Sequence, residues 1–362
     1  MPILRNHIAF KVIRNITVFL NLEAGVTRGR VPEPGFPASI PTPGERTPER
    51  SSNSQEELER IRQRLERENS RLRAELARAD DVSGVSPEDM IWIFGSGRTG
   101  STWLSHLMTE LEGHILWGEP LVGKLFADLY YSGPGPQQSQ IETFILSDPY
   151  KDVWLRSIRH FVLDGANARF PEAAKPDNYL LLSEPNGSTG APLLMEAMPE
   201  SRMVFLIRDP RDVVASFLAA SKKGSWLEAR WGRSNTLADQ DPDAFVKQRA
   251  TWFVRNAEKA REAYENHTGP KALVKYEDLR VDTVAELRRI YSTLEIDVDQ
   301  EKLPEVVKKH SWENIPEDSK GSDKFFRKAT PGGWREDLTP EQAKIVESTA
   351  APLIKAFYST EV

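Results

Sequence analysis

From residue 87 onward the chain alternates short apolar runs of strand length with longer stretches whose apolar residues recur at helical spacing. MIWIF (Met90 to Phe94), YLLL (Tyr179 to Leu182), MVFLI (Met203 to Ile207) and ALVKY (Ala272 to Tyr276) predict strands, and Ser101 to Leu111 and Pro242 to Asn266 predict helices. Strands that take turns with helices form a parallel sheet, so the pattern predicts an α/β fold with three layers, the sheet covered by helices on both faces. Ligands of such sheets sit beyond the carboxyl ends of the strands, which makes the residue after each run the one to read for chemistry.

The first 86 residues follow other rules. Over residues 1–27, Leu4, Ile8, Val12, Ile16 and Phe19 keep near-helical spacing but Arg5, Lys11 and Arg14 interrupt them. That excludes a span of about 20 apolar residues, and no cleavable signal peptide is evident because a long uninterrupted apolar centre is missing. A short basic amphipathic helix is the expectation, docked on this protein, on a partner or peripherally on a membrane. Residues 28–53 are rich in Pro, Gly, Ser and Glu and poor in large apolar groups, so they read as a disordered linker. In residues 54–81, Ser54 and Glu57 have capping-box spacing and Leu58, Leu65, Leu72 and Ala79 repeat every seven residues. Glu68 and Glu75 occupy the second seam position, so the coiled-coil-like helix is equally a solvated single helix; self-association through it is the corresponding expectation. The folded domain is expected over residues 87–362.

Composition narrows the chemistry. A net charge of -6 argues against a nucleic-acid partner, and the absence of cysteine removes disulfides, thiolate nucleophiles and thiolate metal sites, in keeping with a cytoplasmic setting. Any polyanionic ligand must therefore be met by local positive charge. The sequence GSGRTGSTW after the first strand supplies such a place: glycines admit close backbone approach, and free N–H groups at the start of the next helix face an anion. Gly95 and Gly100 have Walker A spacing, but Ser101 stands where that motif needs lysine, so an ordinary ATP or GTP enzyme is disfavoured.

Arg98-Thr99-Gly100-Ser101-Thr102-Trp103 resembles, position by position, the phosphosulfate loop of the sulfotransferases that use 3′-phosphoadenosine-5′-phosphosulfate. Three further segments are similar in the same order: RDPRDVVAS (Arg208 to Ser216), YED at Tyr276, and FFRKATPGGWR near the end of the chain. The resemblance spans about Ile91 to Thr339 and implies a P-loop-NTPase-like sulfotransferase fold that releases adenosine 3′,5′-bisphosphate and needs no metal. It further implies that Gly97, Arg98, Thr99, Gly100, Ser101 and Thr102 hold the 5′-phosphate, and that Trp103, Tyr276 and Trp312 lie near the adenine. Arg208, Ser216, Arg327 and Lys328 would take the 3′-phosphate. Ala329 departs from the family's glycine, which puts the geometry of the closing loop in question.

Sulfuryl transfer also needs a base for the acceptor proton. The family's widespread histidine is absent, but Trp117-Gly118-Glu119-Pro120 resembles a Gly-Glu-Pro segment whose glutamate is the base in some branches, which nominates Glu119. Glu184 in LSEPNGS is the alternative, with His160 and His114 behind it. The acceptor is left open among small molecules, carbohydrates and lipids. Two other readings compete: a kinase with a degenerate phosphate loop, and a non-catalytic nucleotide-binding interaction module.

Overall fold

A computed structural model describes residues 60, 61, 64, 84–131, 140–226, 228, 236–321, 324, 326 and 328–358. The chain divides into units 1–83 and 84–362. In the first, only Arg60, Ile61 and Arg64 are described, all helical. The expectations for residues 1–27 and 28–53, and nearly all of 54–81, lie outside the described residues, as does Arg327.

The second unit is built on five parallel strands: β1 (Met90–Phe94), β2 (His114–Gly118), β3 (Tyr179–Ser183), β4 (Arg202–Ile207) and β5 (Lys271–Lys275). Their order across the sheet is β2-β3-β1-β4-β5, and register is continuous from Trp117 opposite Leu182 to Ile207 opposite Lys275. The α/β fold expected from the alternation is the one observed. The strand β2 was not among the predicted runs; it lies on the edge and is buried fully only at His114, so it lacks the continuous apolar run that betrays an inner strand.

Every residue of β1 is buried, because period-2 alternation feeds two cores. Met90, Trp92 and Phe94 join Leu180, Leu182, Met203 and Phe205 on one face, where Trp92 and Phe94 stack at 5.6 Å. Ile91 and Ile93 join Leu181, Val204 and Leu206 on the other. Each such side chain contributes on the order of 1.5–3 kcal/mol by leaving water. The helices that cover them include α1 (Ser101–Thr109), α2 (Val122–Tyr131), α3 (Lys151–Arg169), α4 (Ala191–Ala197), α5 (Pro210–Ser221), α6 (Pro242–Asn266), α7 (Tyr276–Val281) and α8 (Thr283–Thr293). Among the described residues, no helix is long and apolar enough to cross a membrane.

Candidate active site

The loops after all five strands meet at the carboxyl edge of the sheet. Beyond Phe94 the chain turns through Gly95 and Gly97 into α1, whose cap residue Gly100 is left-handed at φ 95°. A side chain on Gly100 would come within 2.6 Å of the Tyr276 ring, so glycine is required there twice over. Arg98 is also left-handed, at φ 68°.

After β4, Asp209 accepts a hydrogen bond from the Arg211 N–H at 2.8 Å and Pro210 opens α5, as the sequence of caps predicts. This leaves Arg208 at the strand tip, its guanidinium 4.2 Å from the centre of the Tyr276 ring. Its Nη1 donates to the Arg98 carbonyl at 3.3 Å. One helical turn on, the buried Asp212 accepts from the backbone N–H groups of Gly332 and Trp334 at 2.7 and 2.9 Å, fastening the closing loop to α5. Burial pushes the Asp212 carboxyl up, while Arg208 and these two bonds pull it down.

These pieces enclose a cavity of about 620 Å³. Gly97, Arg98, Gly100, Ser101, Thr102, Trp103, Glu119, Arg208, Ser216, Tyr276, Trp312 and Lys328, drawn from distant stretches, all line it. Arg98 Nε donates to Ser216 Oγ at 3.0 Å, and Trp103 and Tyr276 meet edge to face at 6.1 Å. Its charged lining comprises Arg98, Arg208, Arg280 and Lys328 against the single carboxylate of Glu119, in a chain whose net charge is -6. The Lys328 ammonium is also paired with Glu336 and Asp337, which raise its pKa.

Two expected residues lie elsewhere. Thr99 is buried with its hydroxyl turned back to the Ser96 carbonyl at 2.7 Å, so its side chain supports the loop from behind. Glu184 is fully buried and outside the cavity lining; its carboxylate accepts from the N–H groups of Leu121 and Gly123, each at 2.9 Å. Burial pushes Glu184 up to about 7, against the pull of those bonds. The carboxylate lifted toward neutrality is thus the one that the cavity cannot reach. Glu119 is exposed and accepts from Asn186 Nδ2 at 3.0 Å. His114 starts β2, at the opposite end of the sheet, between Tyr179 and Tyr291, and burial lowers its pKa; His160 does not line the cavity.

Asn186, Arg280 and His310 line the cavity without having been nominated. Arg280 was within reach of sequence reasoning: it lies four residues after Tyr276, hence on the same face once YEDLR becomes α7. It sits 5.3 Å from the Trp103 ring centre. The Nε groups of Arg280 and Arg208 are buried and have no hydrogen-bond partner among the described residues. Arg208 and Arg280 both line the cavity, and two cationic side chains in one lining fit an anionic ligand.

Backbone strain gathers here as well. Of six left-handed residues other than glycine among the described residues, Arg98, Glu119, Leu121 and Ala329 belong to the loops around this cavity. Such conformations cost of order 1–3 kcal/mol each and cluster at functional sites. Ala329, at φ 51°, is the position where the family resemblance calls for glycine. Ala329→Gly should therefore raise stability by about 0.5–1 kcal/mol, read from chemical denaturation; a destabilised variant would show that the methyl group packs usefully.

The model of one family, described as a sulfotransferase domain, matches residues 88–357. The chain belongs to the sulfotransferase domain family. Among curated proteins it is 27% identical over 164 residues to an amine sulfotransferase of Oryctolagus cuniculus, covering 40% of this chain and 52% of that relative. The chain thus spans about half the length of the curated relative it matches. Solved structures similar to this sulfotransferase domain include mouse sulfotransferase SULT7A1 complexed with PAP, at 14% identity and TM-score 0.46, covering 74% of this chain and 85% of that one. Sulfotransferase STF9 from Mycobacterium avium is similar at 14% identity and TM-score 0.49, covering 80% and 82%.

Proposed function

We propose that this sulfotransferase domain transfers a sulfuryl group from 3′-phosphoadenosine-5′-phosphosulfate to the hydroxyl or amine of an acceptor and releases adenosine 3′,5′-bisphosphate. The observation that carries the reading is the gathering of four cationic side chains and a glycine-based helix start around one cavity. Family membership supports the reaction class, and the amine sulfotransferase relative supports nitrogen as well as oxygen acceptors.

The donor supplies an activated sulfuryl group on a phosphate leaving group. In this reading the backbone N–H groups at the start of α1, with Ser101 and Thr102, cradle the 5′-phosphate, and Arg98 neutralises the charge that develops there. Arg208, Ser216 and Lys328 grip the 3′-phosphate, joined by Arg327 from the closing loop; Trp103, Tyr276 and Trp312 enclose the adenine. Glu119 takes the acceptor proton: it faces the cavity, whereas Glu184 does not, and geometry takes precedence over pKa in choosing a base. A kinase would need an acidic magnesium ligand at a strand tip; β4 presents Arg208 instead.

Calorimetric titration with adenosine 3′,5′-bisphosphate, with and without a magnesium chelator, tests the donor site. Binding that ignores the chelator is expected; tight binding of ATP that depends on magnesium would favour a kinase. Adding labelled donor to a host extract then tests turnover. Labelled product is expected, and nucleotide binding without product would identify an interaction module.

A further inference from the structure

The turn that carries Glu119 is strained. Glu119 and Leu121 are left-handed at φ 48° and 58°, on either side of Pro120, and neither is a residue that adopts this conformation readily. Such a turn persists only where its surroundings over-determine it. The surroundings come from one segment, Ser183 at the end of β3 and the loop Glu184 to Gly190 that follows it.

That loop reaches both halves of the site. Toward the turn, the Ser183 carbonyl accepts from the Glu119 N–H at 2.8 Å, Glu184 receives the Leu121 and Gly123 N–H groups at the start of α2, and Asn186 Nδ2 holds the Glu119 carboxylate. Toward the phosphate loop, the Gly95 N–H donates to Ser188 Oγ at 2.8 Å, and Ser188 Oγ donates to the Glu184 carbonyl at 3.0 Å. A side chain on Gly97 would come within 2.8 Å of Asn186 Oδ1.

Glycines make room for the clasp. A side chain on Gly187 would fall 2.0 Å from Glu184 Oε1, and one on Gly123 or Gly190 would strike backbone of the other segment at 2.2 Å. A fully buried carboxylate so tightly enclosed, bonded to backbone at the start of α2, is a purpose-built support. Its placement explains why Glu184 is absent from the cavity lining.

We propose that Glu184 and Asn186 are positioning residues that hold Glu119 in register with the phosphate loop: Glu184 by clasping the strained turn, Asn186 by orienting the carboxylate itself. The proposal rests on Glu119 as the base. Errors of about 1 Å in a reacting group slow turnover by up to roughly 10²-fold while leaving remote binding contacts intact.

The test compares wild type with Glu184→Gln, Asn186→Ala, Glu184→Gln/Leu121→Gly and Glu119→Gln. Each is assayed by labelled-sulfate incorporation into host extract at saturating donor, with calorimetry of adenosine 3′,5′-bisphosphate. Glu184→Gln and Asn186→Ala are expected to lower the rate roughly ten- to fifty-fold with nucleotide affinity unchanged. Glycine at 121 adopts the turn without a clasp, so the double variant should recover most of the rate lost by Glu184→Gln. Wild-type rates in Glu184→Gln and Asn186→Ala overturn the proposal, as does a rate loss accompanied by lost nucleotide affinity and no recovery from Leu121→Gly. Should Glu184→Gln fail to fold, Asn186→Ala decides, since it removes one bond at the cavity wall. An active Glu119→Gln would instead remove the base assignment on which the roles depend; an inactive one beside normal Glu184 and Asn186 variants rejects the positioning roles alone.

Discussion

Glu119→Gln is expected to cut the rate of sulfuryl transfer by about 10²–10⁴, the range a positioned general base contributes. The substitution keeps the size of the side chain and its bond from Asn186, but an amide cannot accept the acceptor's proton. Nucleotide affinity should stay within about twofold, because Glu119 is the lone carboxylate of the lining and opposes, if anything, the binding of an anion. Rate measurements at saturating donor, paired with calorimetry, separate the two effects. Full activity would return the search for a base to the rest of the cavity wall.

Arg98→Met should lower the rate by about 10²–10³ and also weaken nucleotide binding. Removing one preorganised group that meets developing charge costs this much in comparable sites. Arg98 belongs to the cavity wall and lies at the foot of α1, where its charge adds to that of the helix start. Methionine preserves the bulk and removes the charge. Arg98→Lys should recover much of the rate, since charge returns, though not the directed Nε bond to Ser216. Equal losses in the two variants would show that shape, not charge, is the contribution of this side chain.

The fold was largely legible in the sequence because its inner strands are buried on both sides and so read as unbroken apolar runs. The edge strand β2 escaped, with half-buried residues and a histidine at its start. The cavity-lining residues were legible for a different reason: glycines, prolines and arginines at fixed offsets leave few alternatives for local geometry. The supports were not. Nothing in LSEPNGS separates a carboxylate that faces ligand from one that turns away, since β3 ends in residues that alternate sides and the loop beyond it follows no period. Asn186 reaches the cavity from an irregular segment, where spacing along the chain carries no direction. Arg280 alone among these additions lay on a helix with a nominated residue at the right interval.

The sign of the charge inside the cavity is opposite to that of the protein as a whole. At physiological ionic strength a charge is felt over about 8 Å. An anion small enough to enter the hollow therefore meets Arg98, Arg208, Arg280 and Lys328 at close range, whereas one held outside it meets a chain that is net negative.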